Sequence, residues 1–218
     1  MKKLFVLLLC LAALWGCNLK GSYYVENCQD FVVRDEGVLK NDYGVVYSIT
    51  STASNQVPVP INDGQRYFLF FDILDADYHI LLKNSIPVDA LEAVPETDPL
   101  PEADDPVNII LFNISPYWLN FAITYYKGKE SNYAHNFAVQ YVREPATDVL
   151  CLTFYHDGND ENPASAQESS LDQVTKLFSI PLTGYDWTPA GVNFTCHVLQ
   201  KNTEDAYEVK QVTYTSNN

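Results

Sequence analysis

The stretch from Asp89 to Pro106 (DALEAVPETDPLPEADDP) limits the fold of this chain more than any other. It holds seven acidic residues, four prolines and no basic residue. Proline has no N–H to give to a β-ladder and holds φ near one value, so regular pairing does not run through it. Uncompensated like charge keeps such a segment extended. The chain therefore reads as two domains, 28–88 and 107–218, joined by an acidic, proline-rich linker over 89–106. Within the linker, residues 89–93 are compatible with a short helix.

Both flanks carry strand grammar. In the first domain, Phe31-Val32-Val33 is a short apolar run, and Gly44 to Thr50 alternates after the Asn41-Asp42 turn. Val57-Pro58-Val59-Pro60 suits only an edge or irregular piece. Arg66 to Leu74 (RYFLFFDIL) and Tyr78 to Lys83 flank Asp75-Ala76-Asp77, a hairpin with a short loop. About five short strands in this space fit a small barrel of the OB type. In the second domain seven strand segments follow: 107–114, 118–126, 134–142, 149–155, 175–181, 192–200 and 207–214. Trp118 to Tyr126 alternates, with Leu119, Phe121, Ile123 and Tyr125 on one face. That number of strands in a domain of this length fits a β-sandwich. The expected class is all-β: a small OB-like barrel followed by an antiparallel β-sandwich.

The N-terminus gives an address. Lys2 and Lys3 precede the apolar run Leu4 to Trp15. That run falls short of the roughly 20 apolar residues a bilayer span needs, and has the length of a secretory signal. It ends in Leu14-Trp15-Gly16-Cys17, the form of a lipobox, which predicts a signal peptide over 1–17 and lipid on Cys17. Residues 18–27 (NLKGSYYVEN) lack periodicity and read as a tether. Asn18 is not the aspartate of inner-membrane retention, so the expected place is the outer membrane, with the side it faces open. The formal charge of −15 becomes more negative once Lys2 and Lys3 are removed. A body so acidic repels phosphate backbones, so nucleic acid is not an expected partner even for an OB-like barrel.

Residues that could carry chemistry are few. There is no GxSxG elbow, HExxH pair or phosphate loop, and no cofactor is expected. Asp157, Asn159, Glu161 and Glu168 lie at calcium-loop spacing. The turn glycine is replaced by Asn162, and Pro163 interrupts the segment, so a mobile acidic loop is the expectation there. His79, His135, His156 and His197 fall on different strands without ligand spacing, and His156 reads as a satisfied surface residue. Cys151 and Cys196 both lie in strands of an exported chain. Alternation places Cys196 with Val192, Phe194 and Val198 on a core face and Cys151 opposite Leu150, Leu152 and Phe154, which argues against a disulfide. The aromatic residues Tyr117, Trp118, Tyr125, Tyr126, Tyr185 and Trp187 are candidates for a binding patch, foremost Tyr117, Trp118, Tyr185 and Trp187.

The order of lipobox, OB-like domain, acidic linker and sandwich comes with three short motifs. These are Asp63-Gly64-Gln65-Arg66, Ile73-Leu74-Asp75 and the strand opening Trp118-Leu119-Asn120-Phe121. Together they resemble the NigD-like lipoproteins of anaerobic Gram-negative bacteria, over essentially the whole mature chain; the proline-rich linker is a departure. The resemblance implies a non-enzymatic, lipid-anchored interaction protein of the cell envelope, because the founding member is linked to a bacteriocin gene cluster and was proposed as an immunity protein. It brings no catalytic residues. The implied partner is a protein, with a toxin as the case in point; the rival expectation is a carbohydrate-binding surface lipoprotein whose Trp and Tyr rings stack on sugars.

Overall fold

The computed structural model describes residues 23–53, 60–99, 105–164, 167–201 and 206–217. The signal peptide 1–17, with the lipidation residue Cys17, and the segment 57–59 lie outside the described residues. The chain divides into two units, Met1–Pro87 and Val88–Asn218.

Unit 1 is a closed ring of five strands: β1 (Val25–Asp35), β2 (Val38–Asn41), β3 (Val46–Thr52), β4 (Arg66–Ile73) and β5 (His79–Ala90), of which Val88, Asp89 and Ala90 belong to unit 2. Around the ring the order is β1, β2, β3, β5, β4 and back to β1, with β3 and β5 parallel. The turn between β1 and β2 is Glu36-Gly37, with φ of 48° and 81°. Positive φ at both central residues is what a tight hairpin of matching twist needs. Its core is Val32, Tyr67, Leu69, Phe71, Ile80 and Leu82, all nearly inaccessible. β4 carries a charge near each end: Arg66 meets the buried Asp42 at 2.7 Å, and Asp72 meets Lys83 at 2.6 Å. That is why so apolar a strand tolerates them.

Unit 2 holds β6 (Ala93–Pro95), β7 (Asn108–Ile114), β8 (Trp118–Gly128), β9 (Asn136–Glu144), β10 (Val149–Asp157), β11 (Leu171–Pro181), β12 (Gly191–Lys201) and β13 (Tyr207–Asn217). One sheet runs β11-β8-β7, and Asp89 and Ala90, at the end of β5, pair with Phe178 and Ser179 of β11. The other runs β13-β12-β10-β9-β6. Phe121 and Phe178 of the first sheet interlock with Phe154 and Phe194 of the second, with Phe121 4.9 Å from Phe194 and 5.2 Å from Phe154. Side chains from two facing sheets meeting in one layer are the packing of a sandwich.

The fold is all-β with an OB-like barrel and a sandwich, as the sequence suggests, and three features differ in detail. The stretch 89–106 is not a free linker over its described residues. Residues 89–90 extend β5 where a short helix was compatible, Ala93–Pro95 pair with Val139–Tyr141, and Asp105 is buried. Pro95 is tolerated because it ends the edge strand of its sheet. Secondly, β1 takes in the last residues of the expected tether: Val25 pairs with Ile73, and the Asn27 N–H donates to Asp72 Oδ1 at 2.7 Å. Thirdly, pairing is not antiparallel throughout, since β10 runs parallel to β12 and β6 parallel to β9.

Cys151 and Cys196 sit on opposite faces of their sheet. Cys196 is in the core, whereas Cys151 shares its half-buried face with Thr153 and Tyr155 and takes a contact from Asn193 Nδ2 at 3.9 Å. Their Cβ atoms cannot approach to the ~4 Å of a disulfide without turning one strand over. Maleimide labelling of denatured, unreduced 18–218 polypeptide is expected to find Cys28, Cys151 and Cys196 all reactive. A peptide map linking Cys151 to Cys196 would refute this.

Candidate functional site

Two turns at one end of the sandwich build a recess. Trp118 at the start of β8 pairs with Pro181 at the end of β11, so the β7–β8 turn and the β11–β12 loop lie side by side. Ser115, Pro116 and Tyr117 come from the first, and Leu182, Thr183, Gly184, Tyr185, Trp187, Thr188 and Pro189 from the second. The recess measures about 320 Å³.

Its walls are fixed from behind. The Ser115 N–H donates to Trp118 O at 2.8 Å, the Ser115 hydroxyl donates to the same oxygen at 2.9 Å, and Leu182 N–H donates to Tyr117 O at 2.8 Å. These bonds hold the backbone of Tyr117 while leaving the residue 57% exposed. Tyr185 and Trp187 stand 5.2 Å apart, and both pack on Tyr141. Gly184 turns the loop at φ +94°, a conformation that side chains with a Cβ resist. The Trp187 indole N–H is buried, with no acceptor among the described residues. Burial, with a smaller contribution from Tyr141, pushes the Tyr185 phenol up to about 12, so it stays neutral. The Arg143 guanidinium lies 5.2 Å over Trp187 and is bonded to Asp148.

Of the aromatic candidates, the recess brings together Tyr117, Tyr185 and Trp187. Trp118 supports it through its backbone and is not in its lining. Tyr125 is buried in the core. Thr183 and Thr188 escaped the sequence reading, because nothing in a loop of small polar residues announces which hydroxyls face a cavity.

The second polar cluster lies in unit 2 around His156, and here the sequence expectation is corrected. His156 is buried, not a surface residue, because β9 and β10 pair with His156 opposite Phe137 and its ring is drawn under the next loop. Its Nε2 lies 2.9 Å from His135 Nδ1, and His135 Nε2 lies 3.3 Å from Glu161 Oε2. Gly158 must lack a side chain, since a Cβ there would come within 2.8 Å of the His156 ring. Asp105 accepts from the Gly158 and Asp160 N–H groups and from Asn162 Nδ2, which seats the loop.

The residues at calcium-loop spacing do not converge. Asp157 accepts from the Tyr133 hydroxyl at 2.6 Å, Glu161 accepts the Gly128 N–H at 2.7 Å, and the Asn159 N–H donates to Asp157. Glu168 opens a one-turn 3-10 helix and accepts from Tyr207. Among the described residues, the donors within 4.8 Å of one another are Asp75, Asp77 and His79. Turn chemistry accounts for them: Asp75 accepts the N–H groups of Asp77 and His79 and meets His79 Nδ1 at 2.7 Å.

A closed five-strand barrel and a phenylalanine-cored sandwich define the class of protein: all-β, with an aromatic recess at one end of the sandwich. Its fold is NigD-like. A NigD-like immunity protein from Bacteroides caccae superimposes with a TM-score of 0.58 at 14% identity, covering 88% of this chain and 98% of that one. A candidate toxin-related protein from Parabacteroides distasonis gives 0.54 at 16%, covering 87% and 93%. A candidate lipoprotein from Bacteroides fragilis gives 0.51 at 13%, covering 88% and 99%. No family profile matches the chain, and no curated protein is similar to it in sequence.

Proposed function

We propose that this protein is a lipid-anchored protein of the bacterial cell envelope that works by binding, without chemistry of its own, and that the recess at Tyr117, Tyr185 and Trp187 is its recognition surface. The observation that carries this reading is the composition of the recess. It joins aromatic rings and exposed hydroxyls, and among the described residues no charged side chain or nucleophilic pair lines it. Such concave, largely apolar sites with a few placed polar groups are the usual form of a ligand site. The candidate lipoprotein of similar fold supports the anchoring through Cys17, and the immunity and toxin-related names of the others support a role in toxin defence. A protein partner would need a surface well beyond this recess, since a stable interface buries about 800 Å² on each side.

Two measurements test the reading. With Cys17→Ser, labelled palmitate is expected to vanish from the protein and an unprocessed precursor to accumulate; equal labelling of wild type and variant would overturn the anchoring. Wild type and Tyr117→Ala, each immobilised as the full chain, are then exposed to envelope extract, and both protein and carbohydrate in the eluates are analysed. Retention lost in the variant is expected. Identical eluates would mean that the recess is not the recognition surface.

A further inference from the structure

We infer that the recess bounded by Tyr117, Thr183, Tyr185, Trp187 and Thr188 binds a neutral glycan through one or two of its sugar rings; this rests on the reading of the recess as the recognition surface. A sugar ring has a C–H face that packs on an aromatic ring and an equator of hydroxyls that both donate and accept. The recess offers the complement of each. Tyr117 presents an exposed ring on a backbone already held by hydrogen bonds, so little order is lost when a ligand covers it. Tyr185 and Trp187, each half-buried, add two further rings to the wall of the recess. Thr183 and Thr188 are exposed and add hydroxyls at the rim.

The alternatives fit less well. An anion needs a cation in the lining, and among the described residues none is there; Arg143 is engaged by Asp148. A purely apolar ligand would leave the rim hydroxyls dry, at a cost in free energy. A polyproline segment docks between aromatic ridges, but Tyr185 and Trp187 tilt together at 47° with centroids 5.2 Å apart, which leaves no slot between them. The volume of about 320 Å³ is at the small end of ligand sites and suits one or two rings, with the rest of a chain in solvent.

The test uses the full chain in a zwitterionic detergent that carries no sugar. The probes are neutral tetrasaccharides of β-1,4-glucan, β-1,3-glucan, α-1,4-glucan, β-1,4-mannan and β-1,4-xylan. An oligogalacturonate and a proline-rich peptide serve as comparators. Binding is read by calorimetry and by the indole N–H resonance of Trp187. At least one neutral glycan is expected to bind with a Kd of roughly 1 mM or tighter and to move that resonance. Tyr117→Ala should weaken it about fivefold, and Thr188→Val, which keeps the side-chain shape and removes a rim hydroxyl, about threefold. The inference is overturned if no neutral glycan binds, if binding ignores both variants, or if only the acidic oligomer or the peptide moves Trp187. Should the glycans fail while Tyr117→Ala still loses material from envelope extract, the recess remains the recognition surface and the glycan assignment alone falls.

Discussion

Replacing Asp42 by Ala is expected to destabilise unit 1 by about 3–5 kcal/mol, the cost of leaving one member of a buried ion pair behind. Asp42 and Arg66 meet at 2.7 Å with side chains only 3% and 4% exposed. Burial pulls the Arg66 guanidinium down, and Asp42 pulls it back up, with a smaller contribution from Asp30. Asp30 is held in place by Asn41 Nδ2 and the Tyr47 hydroxyl, which both donate to its Oδ2 at 2.7 Å, and turning to Arg66 in place of Asp42 would strain those bonds. A loss of that size is a large fraction of the 5–15 kcal/mol that holds a typical domain together. The double variant Asp42→Ala/Arg66→Met removes the stranded charge and fills its volume, so it should recover most of the loss. Urea denaturation followed by circular dichroism measures all three proteins. A single variant within about 1 kcal/mol of wild type would show that the pair is solvated or replaceable.

How much of this was legible in the sequence depends on range. The alternation of Leu119, Phe121, Ile123 and Tyr125 states a local periodicity, and all four are core residues. The face assignments of Cys151 and Cys196 are local in the same sense, and the burial patterns of β10 and β12 match them. The stretch 89–106 shows the opposite case. Its prolines and acids forbid a long regular ladder, yet a three-residue edge strand needs little regularity, and Asp105 is buried because three donors of a distant loop converge on it. The parallel pairing of β10 with β12 depends on which strands become neighbours, and no local pattern encodes that. The recess was half legible. Tyr117, Tyr185 and Trp187 stood out as large aromatics among turn residues, but their meeting follows from the register of Trp118 with Pro181. The pairing of His135 with His156 is likewise a matter of register, since the two are 21 residues apart.

That histidine pair sets the pH response of unit 2, which is expected to lose about 3 kcal/mol of stability as the pH falls from 6.5 to 4. Burial lowers the His156 pKa to about 4, with the neighbouring His135 as the next cause, against 6.5 for an unperturbed histidine. Above pH 6.5 the ring is neutral in both folded and unfolded chains, and its full contribution is present. Between 6.5 and 4 the unfolded chain takes up a proton that the folded chain refuses, so stability drops as the pH drops. Below about 4 both forms are protonated and this group adds no further loss. The gap between the two pKa values converts to about 3 kcal/mol. The groups facing His156 agree with this sign. Tyr125 and Phe137 pack on its ring and offer no counter-charge, and the favourable influence of the Asp105 backbone and of Asp157 is outweighed. Nε2 of His156 and Nδ1 of His135, 2.9 Å apart, cannot both carry protons toward each other, so a doubly charged pair must separate. The carboxylates act in a lower window. The Asp157 carboxyl is held below its usual range, first by the Tyr133 hydroxyl; for Glu161, burial raises the pKa, but hydrogen bonds from Ser131, Gly128 and His135 outweigh it. Both give up stability only as the pH falls through those depressed values. Urea midpoints measured from pH 7 to pH 4 for wild type and His156→Phe separate the contributions. The variant keeps a ring against Phe137 and loses the titration, so its curve should be flatter by about 3 kcal/mol over that span, and the wild-type His156 resonance should titrate near pH 4 by NMR. Parallel curves, or a His156 midpoint at the ordinary 6.5, would mean that the loop over His156 opens to solvent before the ring is charged.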